Sequence, residues 1–428
     1  MAERAPVRSI HQVGTQRLSI ILATPPGFNP GMAATELALR AFLRRHDFES
    51  EAQCYRLIPF ADRLTSMPPE RRAAVERRAD TGIHFRSAFD EADVISASAA
   101  RLFWADYLHM GIYLRELQPI VAPHVDGSDA AGHLARLLLL DGADDAALAR
   151  AVSFGTTLLF NTLADERDAS YDVPLRRFLT QAKRVWVRDA LSAARVAHLR
   201  GDYETGYFGV DCALLLSRED VLRNAGEHGL PTPPHAGSVL AFFGRETHIR
   251  EQLLATALDV GRTLDRPVRW LQWGDGGAFP DLQARPEGLA ETGAVTVHEL
   301  LHEVAHASAV VTDTYHLAVC AWNFGVPAVT AFTGHRMLAN DVSSGPEFNW
   351  RDKREVFYSQ YDALDFLIRP EELLDQDLLR RRTAHVREAL RDDSLCAGIT
   401  ARIHAHVASV ESALARELSL LLAAMACR

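Results

Sequence analysis

The sequence predicts an α/β fold made of two doubly wound, Rossmann-like domains. Short apolar runs alternate with stretches of helical periodicity along most of the chain, as strands and helices do around a parallel sheet. This alternation is interrupted between residues 217 and 237, where prolines and glycines cluster. With 428 residues and 48% hydrophobic content, the chain can bury more than one core. We predict one domain over residues 1–225, a second over 236–370, and C-terminal helices over 371–428.

The first domain opens with a predicted strand at Arg17–Thr24 and an amphipathic helix at Met32–His46. The turn between them contains Asn29 and Gly31, and a glycine-containing turn in this position can bind a nucleotide or another anion. The glycine spacing is neither that of a dinucleotide fingerprint nor that of a P-loop. A turn that needs glycine only for its shape is therefore an equal interpretation. Leu102–Leu117 is predicted to be a further helix.

Another strand–helix turn lies near the end of the first domain. Val185–Val187 is predicted to be a strand, and Arg188, Asp189 and Ser192 follow it where a helix begins. A guanidinium group at the carboxyl end of a strand can hold a carboxylate or a phosphate through two hydrogen bonds. The structural alternative is an arginine that only pairs with the neighbouring acid and holds the loop.

The strand–helix alternation restarts after the proline-rich segment. Ser238–Phe243 is a predicted strand followed by Arg245, and Val268–Trp273 is the next predicted strand. Ala309–Val311 and Ala328–Phe332 are two more.

The site prediction depends on the turn after Val311. Thr312 and Asp313 can cap a helix that starts near Tyr315, and Gly325 suits its left-handed end. His316 then lies in the first turn of a helix, at the carboxyl end of a strand. Open α/β sheets bind ligands there, and the unpaired N–H groups of the helix favour an anion. A histidine without function, at the protein surface, is the alternative.

Charge and cysteine content exclude several classes of function. The formal charge is −10 and acids are mixed with bases, which argues against a nucleic-acid surface. The five cysteines are dispersed, as expected for a reduced cytoplasm and for a protein without a zinc cluster. No apolar run has the length of a membrane span. We expect a cytoplasmic protein without a transmembrane segment.

The segment from His298 to His302 reads H-E-x-x-H, with His306 four residues further on. In zinc peptidases this spacing places two imidazoles on one face of a helix. We interpret the segment instead as an amphipathic helix. It has one apolar face, and its histidines and glutamates form a solvated face. We therefore predict no metal site.

Several of these turns resemble the polysaccharide pyruvyltransferase family. In that family a strand ends in Ser/Thr-Asp, a histidine follows three residues after the Asp, and Gly-x-Pro closes the helix. The matching positions here are Asp313, His316, Gly325 and Pro327 in the second half, and Asn29, Gly31, Arg188, Asp189, Ser192 and the tripeptide Asp211-Cys212-Ala213 in the first. Two positions depart from the pattern: Met32 stands where an acid is usual, and Thr314 stands where many members have arginine.

The resemblance implies a GT-B-type architecture, with the site in a cleft between the domains and the C-terminal helices packed back on the first domain. It also implies transfer of a pyruvyl group from phosphoenolpyruvate, as co-substrate, to hydroxyls of a sugar-containing acceptor, with no resident cofactor. His316 and Arg188 would be catalytic. The donor would be bound by Arg336 (twenty residues beyond the histidine), Arg245, Thr312, Asp313, Thr314 and Tyr315. Asn29, Gly31 and Ser192 would serve the acceptor or shape the loops.

Two other functions remain open from the sequence. A GT-B-type glycosyltransferase could bind a nucleotide-sugar in the same cleft, with Asp275 or Glu299 at the ribose. A non-catalytic binding protein could retain the fold. The acceptor and the oligomeric state, including a homo-oligomer, also remain open.

Overall fold

The computed structural model describes residues 17–22, 29–56, 73, 77–78, 80–87, 99–104, 109–125, 129–159, 161, 165, 167–203, 205–243, 249–274, 285–332 and 352–427. These residues form two parallel six-stranded sheets with helices around them. Arg245, Asp275 and Arg336 lie outside the described residues.

The first sheet is built from the first half of the chain. Its strands are β1 Leu18–Leu22, β2 Ala52–Arg56, β3 Phe85–Ser87, β4 Ala100–Trp104, β5 Ala151–Thr156 and β6 Arg184–Val187. The second sheet contains β7 Val239–Phe242, β8 Val268–Trp270, β9 Ala290–Glu291, β10 Ala309–Thr312, β11 Ala328–Ala331 and β12 Leu367–Ile368.

The two sheets have the same topology. The first has the order β3-β2-β1-β4-β5-β6, and the second, read from its other edge, has the order β9-β8-β7-β10-β11-β12. Neighbouring strands pair in parallel throughout both. In such a sheet the strand order reverses between the first and fourth strands, and ligands bind beside that point at the carboxyl ends. The predicted pair of doubly wound domains is confirmed, and we call them the first and second lobes.

The helices, in chain order, are α1 Pro30–Arg45, α2 Gly111–Val121, α3 Ala130–Leu138, α4 Asp145–Leu148, α5 Ala169–Gln181, α6 Ala190–Arg200, α7 Arg218–Glu227, α8 Arg250–Leu264, α9 Val297–Ala305, α10 Tyr315–Asn323, α11 Lys353–Gln360, α12 Pro370–Leu374, α13 Gln376–Arg391 and α14 Asp393–Ala426. Among these helices, none combines the length and the apolar composition needed to cross a membrane.

The lobes share a continuous apolar core. Leu18 of β1, Leu37 of α1 and Leu317 of α10 belong to one buried cluster. Burying each such side chain contributes on the order of 1.5–3 kcal/mol. The junction between the lobes is therefore held by apolar packing.

The C-terminal helix α14 contacts both lobes. Glu411 pairs with Arg45 of α1 at 2.9 Å, and Arg17 donates a hydrogen bond to the Leu422 carbonyl. On the other side, His404 donates to the Asn323 carbonyl of α10 at 2.8 Å. The prediction that the C-terminal helices pack back on the first domain is confirmed for the second half of α14, whereas α13 packs on α8 of the second lobe. The domain boundaries at residues 225 and 236 stay a prediction.

Two sequence-based predictions of local structure are wrong. Leu102–Leu117 was expected to be a helix, but Ala100–Trp104 is a central strand and α2 begins at Gly111. A short apolar run fits a buried strand as well as a helix, so periodicity alone does not separate them. The polar face of α9 was expected to be solvated, yet His298, His302 and Glu303 are buried. Helices α7 and α1 pack against α9.

Candidate functional site at the junction of the lobes

The two lobes meet at the helices that follow their switch-point strands. Asn29 caps α1, its side-chain oxygen accepting from the backbone N–H groups of Gly31 and Met32 at 3.1 and 3.4 Å. A Cβ atom placed on Gly31 would lie 2.5 Å from Cβ of His316, in the first turn of α10. Two Cβ atoms cannot lie this close together unless the surrounding chain moves. The absence of a side chain at Gly31 therefore permits the close approach of the two helices. Gly31 and His316 are thus brought into direct contact.

A buried carboxylate lies between the two residues predicted to be catalytic. Asp211 accepts a hydrogen bond from Nη1 of Arg188 at 3.2 Å, and the same oxygen, Oδ2, is 3.8 Å from Nε2 of His316. The three side chains are 1–6% exposed. At such burial a charged pair interacts more strongly than it would in water. The structure therefore brings the guanidinium of one lobe and the imidazole of the other to one acid.

Backbone contacts fix this carboxylate relative to α10. Asp211 also accepts from the Ala213 backbone N–H, which holds the short 3-10 turn Cys212–Leu215. Asn323, at the last turn of α10, donates to the carbonyls of Leu214 and Leu216 at 3.1 and 2.6 Å. The turn that carries Asp211 and the helix that carries His316 are consequently bonded to each other across the lobes.

Asp189 and Ser192 hold the loop after β5. Asp189 accepts from the backbone N–H of Ser192 at 2.7 Å and from the hydroxyls of Ser192 and Thr157 at 2.8 and 2.7 Å. The Ser192 oxygen in turn accepts from the Leu158 backbone N–H at 2.8 Å. The acid next to Arg188 therefore caps α6, and Arg188 donates a hydrogen bond to Asp211.

The turn after β10 is shaped by hydrogen bonds of its own. The Thr314 backbone N–H donates to the Thr312 hydroxyl, and the Thr314 hydroxyl donates to Asp313 at 3.2 Å. Thr314 occupies the N-cap position of α10 without a side-chain capping bond. The prediction that Thr312 or Asp313 caps the helix is therefore wrong. Burial lowers the pKa of Arg250, and the negative charge of Asp313 opposes that shift.

A narrow cavity lies beside Arg188 and Tyr315. Residues of both lobes line it, and its volume is about 10 Å³, roughly the room of one water molecule. The Arg188 guanidinium carbon lies 4.9 Å from the centre of the Tyr315 ring, and Nζ of Lys353 lies 4.7 Å from the same point. Two cations therefore approach one aromatic ring, a contact that the ring quadrupole favours.

The start of α11 is bonded to the turn that precedes His316. Arg354 donates to the Asp313 carbonyl at 2.6 Å and pairs with Asp352 at 2.7 Å. Burial opposes ionisation of Asp352, but the Arg354 charge and hydrogen bonds lower the pKa of that carboxyl. Lys353 is the residue between these two, so the ion pair fixes its backbone next to the site.

The H-E-x-x-H segment has a structural explanation. Glu299 accepts from the backbone N–H groups of Val295 and Thr296, both at 2.8 Å, and so caps α9. His298 packs on His228 with ring centres 4.0 Å apart, whereas His302 packs on His306. Burial lowers the pKa of His298 to about 4. Among the described residues no group of three potential ligands could hold a metal ion.

Sequence reasoning missed Asp211 and Lys353 as candidates. Asp211 had a signal in the tripeptide Asp211-Cys212-Ala213, which matches the family pattern but does not indicate a contact with His316. Lys353 had a weaker signal, because it is one of only two lysines in the chain. Arg245 and Arg336, predicted to bind the donor, lie outside the described residues, so their placement stays a prediction.

Comparison with known proteins agrees with the family resemblance. Residues 125–335 match the family model of the polysaccharide pyruvyl transferases. This range contains Arg188, Asp211 and His316, and the matched family is a family of transferases. No curated protein matches the chain.

Several solved structures have a similar course of the chain at low sequence identity. One is a putative UDP-N-acetylglucosamine 2-epimerase from Listeria monocytogenes, with a TM-score of 0.42, 10% identity and coverage of 88% of this chain and 91% of that one. The glycotransferase of kitacinnamycin has a TM-score of 0.38, 14% identity and coverage of 95% and 98%. A transferase from Siraitia grosvenorii in complex with UDP has values of 0.41, 14%, 95% and 100%. The fold assignment itself rests on the two sheets.

Proposed function

We propose that this transferase moves the pyruvyl group of phosphoenolpyruvate to two hydroxyls of a sugar-containing acceptor, forming a cyclic ketal. The observation that carries the proposal is the meeting of Arg188 and His316 at Asp211, between two lobes, within a region that matches the pyruvyl transferase family. Phosphoenolpyruvate presents a carboxylate and a phosphate close together. A site for it needs cations, a proton donor and shelter from water.

The reaction sets the tasks of the side chains. Two acceptor oxygens form bonds to C2 of the donor, the C2–O bond to phosphate breaks, and the C3 methylene becomes a methyl group. Of the two hydroxyl protons, one ends on C3 and the other on the released phosphate. Arg188 holds an anionic group of the donor, and His316 contacts the phosphate oxygen and supplies its proton. Asp211 fixes both side chains, and the second hydroxyl proton of the acceptor restores the proton that the imidazole gives to the phosphate.

The remaining predicted donor residues have supporting tasks. Thr312, Asp313 and Thr314 shape the turn from which the N-terminal N–H groups of α10 point towards an anion. Tyr315 forms one wall of the cavity. Arg245 and Arg336 would add positive charge to the same anion. On the first-lobe side, Asn29, Gly31 and Ser192 set the shape of the loops against which the acceptor would lie.

A histidine substitution tests the proposal. His316→Asn should lower the rate of phosphate release from phosphoenolpyruvate, with sugar acceptors present, by about 10²–10⁴-fold, because a positioned acid contributes on that order. The matched control is His306→Asn, at the histidine that follows α9 and lies outside the site, and it should retain activity. Thermal unfolding of both variants checks that they fold. Wild-type turnover in a folded His316→Asn protein would refute the assigned role.

A ligand comparison tests the donor. Phosphoenolpyruvate should raise the unfolding temperature of the wild-type protein, because a ligand that binds only the folded state stabilises it. Stabilisation by nucleotide-sugars, without any by phosphoenolpyruvate, would replace the proposal with a glycosyltransferase. If neither class of anion stabilises the protein, the donor assignment is wrong.

A further inference from the structure

The chain uses lysine in only two places. Of its 46 lysines and arginines, Lys183 and Lys353 are the two lysines. Lys183 lies on the outside of the first lobe and pairs with Glu417 of α14 at 3.4 Å, with 46% of its side chain exposed. Lys353 instead begins α11 and lines the cavity beside Arg188 and Tyr315. The two amines therefore lie in different chemical environments.

Lys353 and Arg188 approach the cavity from opposite lobes. Their charged groups lie 4.7 and 4.9 Å from the centre of the same Tyr315 ring. Two cations drawn to one half-enclosed space repel each other, and the repulsion grows as water is excluded. Asp211 accepts a hydrogen bond from Arg188, and the charge of Lys353 helps to lower the pKa of the neighbouring Asp352. A ligand with two negative groups would complement the positive charge on both walls of the cavity.

The two cations suit different groups of one donor. A guanidinium presents a planar fork that matches a carboxylate or phosphate with two hydrogen bonds, whereas an ammonium acts as a compact point charge with three donors. The bond network around Lys353 fixes its backbone next to the His316 turn, through Arg354 and the Asp313 carbonyl. The Lys353 side chain therefore extends from a backbone position that is fixed next to the site.

We infer that Lys353 binds the phosphate of the donor from the second lobe while Arg188 binds its carboxylate from the first, so that the donor joins the lobes. This inference rests on the proposed function and adds a residue to its binding site. The cavity of about 10 Å³ is smaller than the donor, so the two walls must move apart to admit it. Once bound, the donor makes one ionic contact with each wall of the cavity.

The scarcity of lysine allows a direct test on the intact protein. An amine-selective reagent, such as formaldehyde with a borohydride, reacts with Lys183, Lys353 and the N-terminal amine. Peptide mass spectrometry then gives the rate at each site. Saturating phosphoenolpyruvate should slow modification of Lys353 about tenfold or more and leave Lys183 unchanged. Inorganic phosphate should protect Lys353 in part, and pyruvate should not.

Substitutions provide the second test. Lys353→Met keeps the length of the side chain and removes its charge, and it should weaken phosphoenolpyruvate binding about 10–100-fold, as read by calorimetry. Lys353→Arg should recover part of the affinity, and Lys183→Met is the matched control that should bind like the wild type. Unfolding temperatures without ligand check that each variant folds.

The outcomes separate this inference from the proposed function. Wild-type protein that binds phosphoenolpyruvate, with equal labelling of Lys353 in its presence and unchanged affinity in Lys353→Met, overturns the inference alone. Wild-type protein that does not bind phosphoenolpyruvate overturns the proposed function and the inference with it. Protection of Lys353 together with weakened binding in Lys353→Met supports both.

Discussion

The two lobes have the same strand order but present different turns to each other. In the first lobe, the turn after β1 is capped by Asn29 and offers Gly31, a residue without a side chain. In the second, the turn after β10 has no side-chain cap on α10 and offers His316. One turn supplies space and the other supplies an imidazole, and the two touch. The two turns follow different strands of the shared order, the first strand of one lobe and the fourth strand of the other. The strand order alone therefore does not assign their tasks, and the chemistry must be argued from the residues.

The largest effect is expected from filling the space that Gly31 leaves beside His316. Gly31→Val places a branched side chain where a Cβ atom alone would lie 2.5 Å from Cβ of His316. The turns must separate, which we expect to destabilise the protein by about 1–3 kcal/mol. A shift of about an ångström at the imidazole should lower turnover by about 10²-fold. Chemical denaturation and steady-state rates measure both.

Gly226→Ala is the control for this substitution. Gly226 lies within α7, and an added Cβ atom meets nothing within 4 Å. Because alanine is favoured over glycine inside a helix, this variant should be as stable as the wild type or about 0.5–1 kcal/mol more stable. If Gly31→Val were equally stable and active, the contact between the two turns would be unimportant.

Helix α9 of the second lobe packs against α1 of the first lobe and contains a buried acid, Glu303. Burial raises the pKa of the Glu303 carboxyl from 4.5 to about 7, and the charge of Arg269 only partly opposes this. The folded state therefore keeps a proton that the unfolded chain releases. This bound proton makes its full contribution to the stability of the folded state below about pH 4.5. The contribution is lost as the pH rises through about 7.

Glu303→Gln removes this pH dependence. The variant should gain stability over the wild type by about 1–3 kcal/mol between pH 5 and 8, since each unit of pKa shift corresponds to about 1.4 kcal/mol. Urea denaturation at several pH values measures the difference. Glu287→Gln, at an exposed position, should stay within about 0.5 kcal/mol of the wild type throughout. A constant difference for Glu303→Gln would show that this carboxyl is ionised in the folded protein at neutral pH.

The smallest effect is expected at the cap of α1. Asn29→Ala removes the acceptor for the Gly31 and Met32 N–H groups and should cost about 1 kcal/mol of stability. Asn29→Asp keeps an acceptor and should be close to the wild type. The unfolding temperatures of the pair measure this. Equal losses in both variants would mean that the asparagine acts through a group other than its cap.

The sequence was sufficient to predict the alternation of strands and helices and the placement of His316 and Arg188 at strand ends. These features are local, because they depend on periodicity, glycine and proline. Gly325 illustrates this: its φ of 77° at the end of α10 follows from the residue type itself. The predicted turn could therefore be located without knowledge of its neighbours.

The missed features depend on contacts between distant segments. Asp211 gains its place only when the 3-10 turn of the first lobe packs on α10 of the second. The polar face of α9 is buried because helices from other parts of the chain cover it, and no pattern within α9 reveals them. The short run at Leu102–Trp104 is ambiguous because three apolar residues fit two periodicities.

Helix α14 has a consequence for how the lobes can move. Its 34 residues extend over about 50 Å; His404 binds the second lobe, whereas Glu411 and the Leu422 carbonyl bind the first. Moving the lobes straight apart would break the contacts of α14 with one of them. A rotation of the lobes about an axis near α14 would keep both sets of contacts, and we expect the lobes to open in that way.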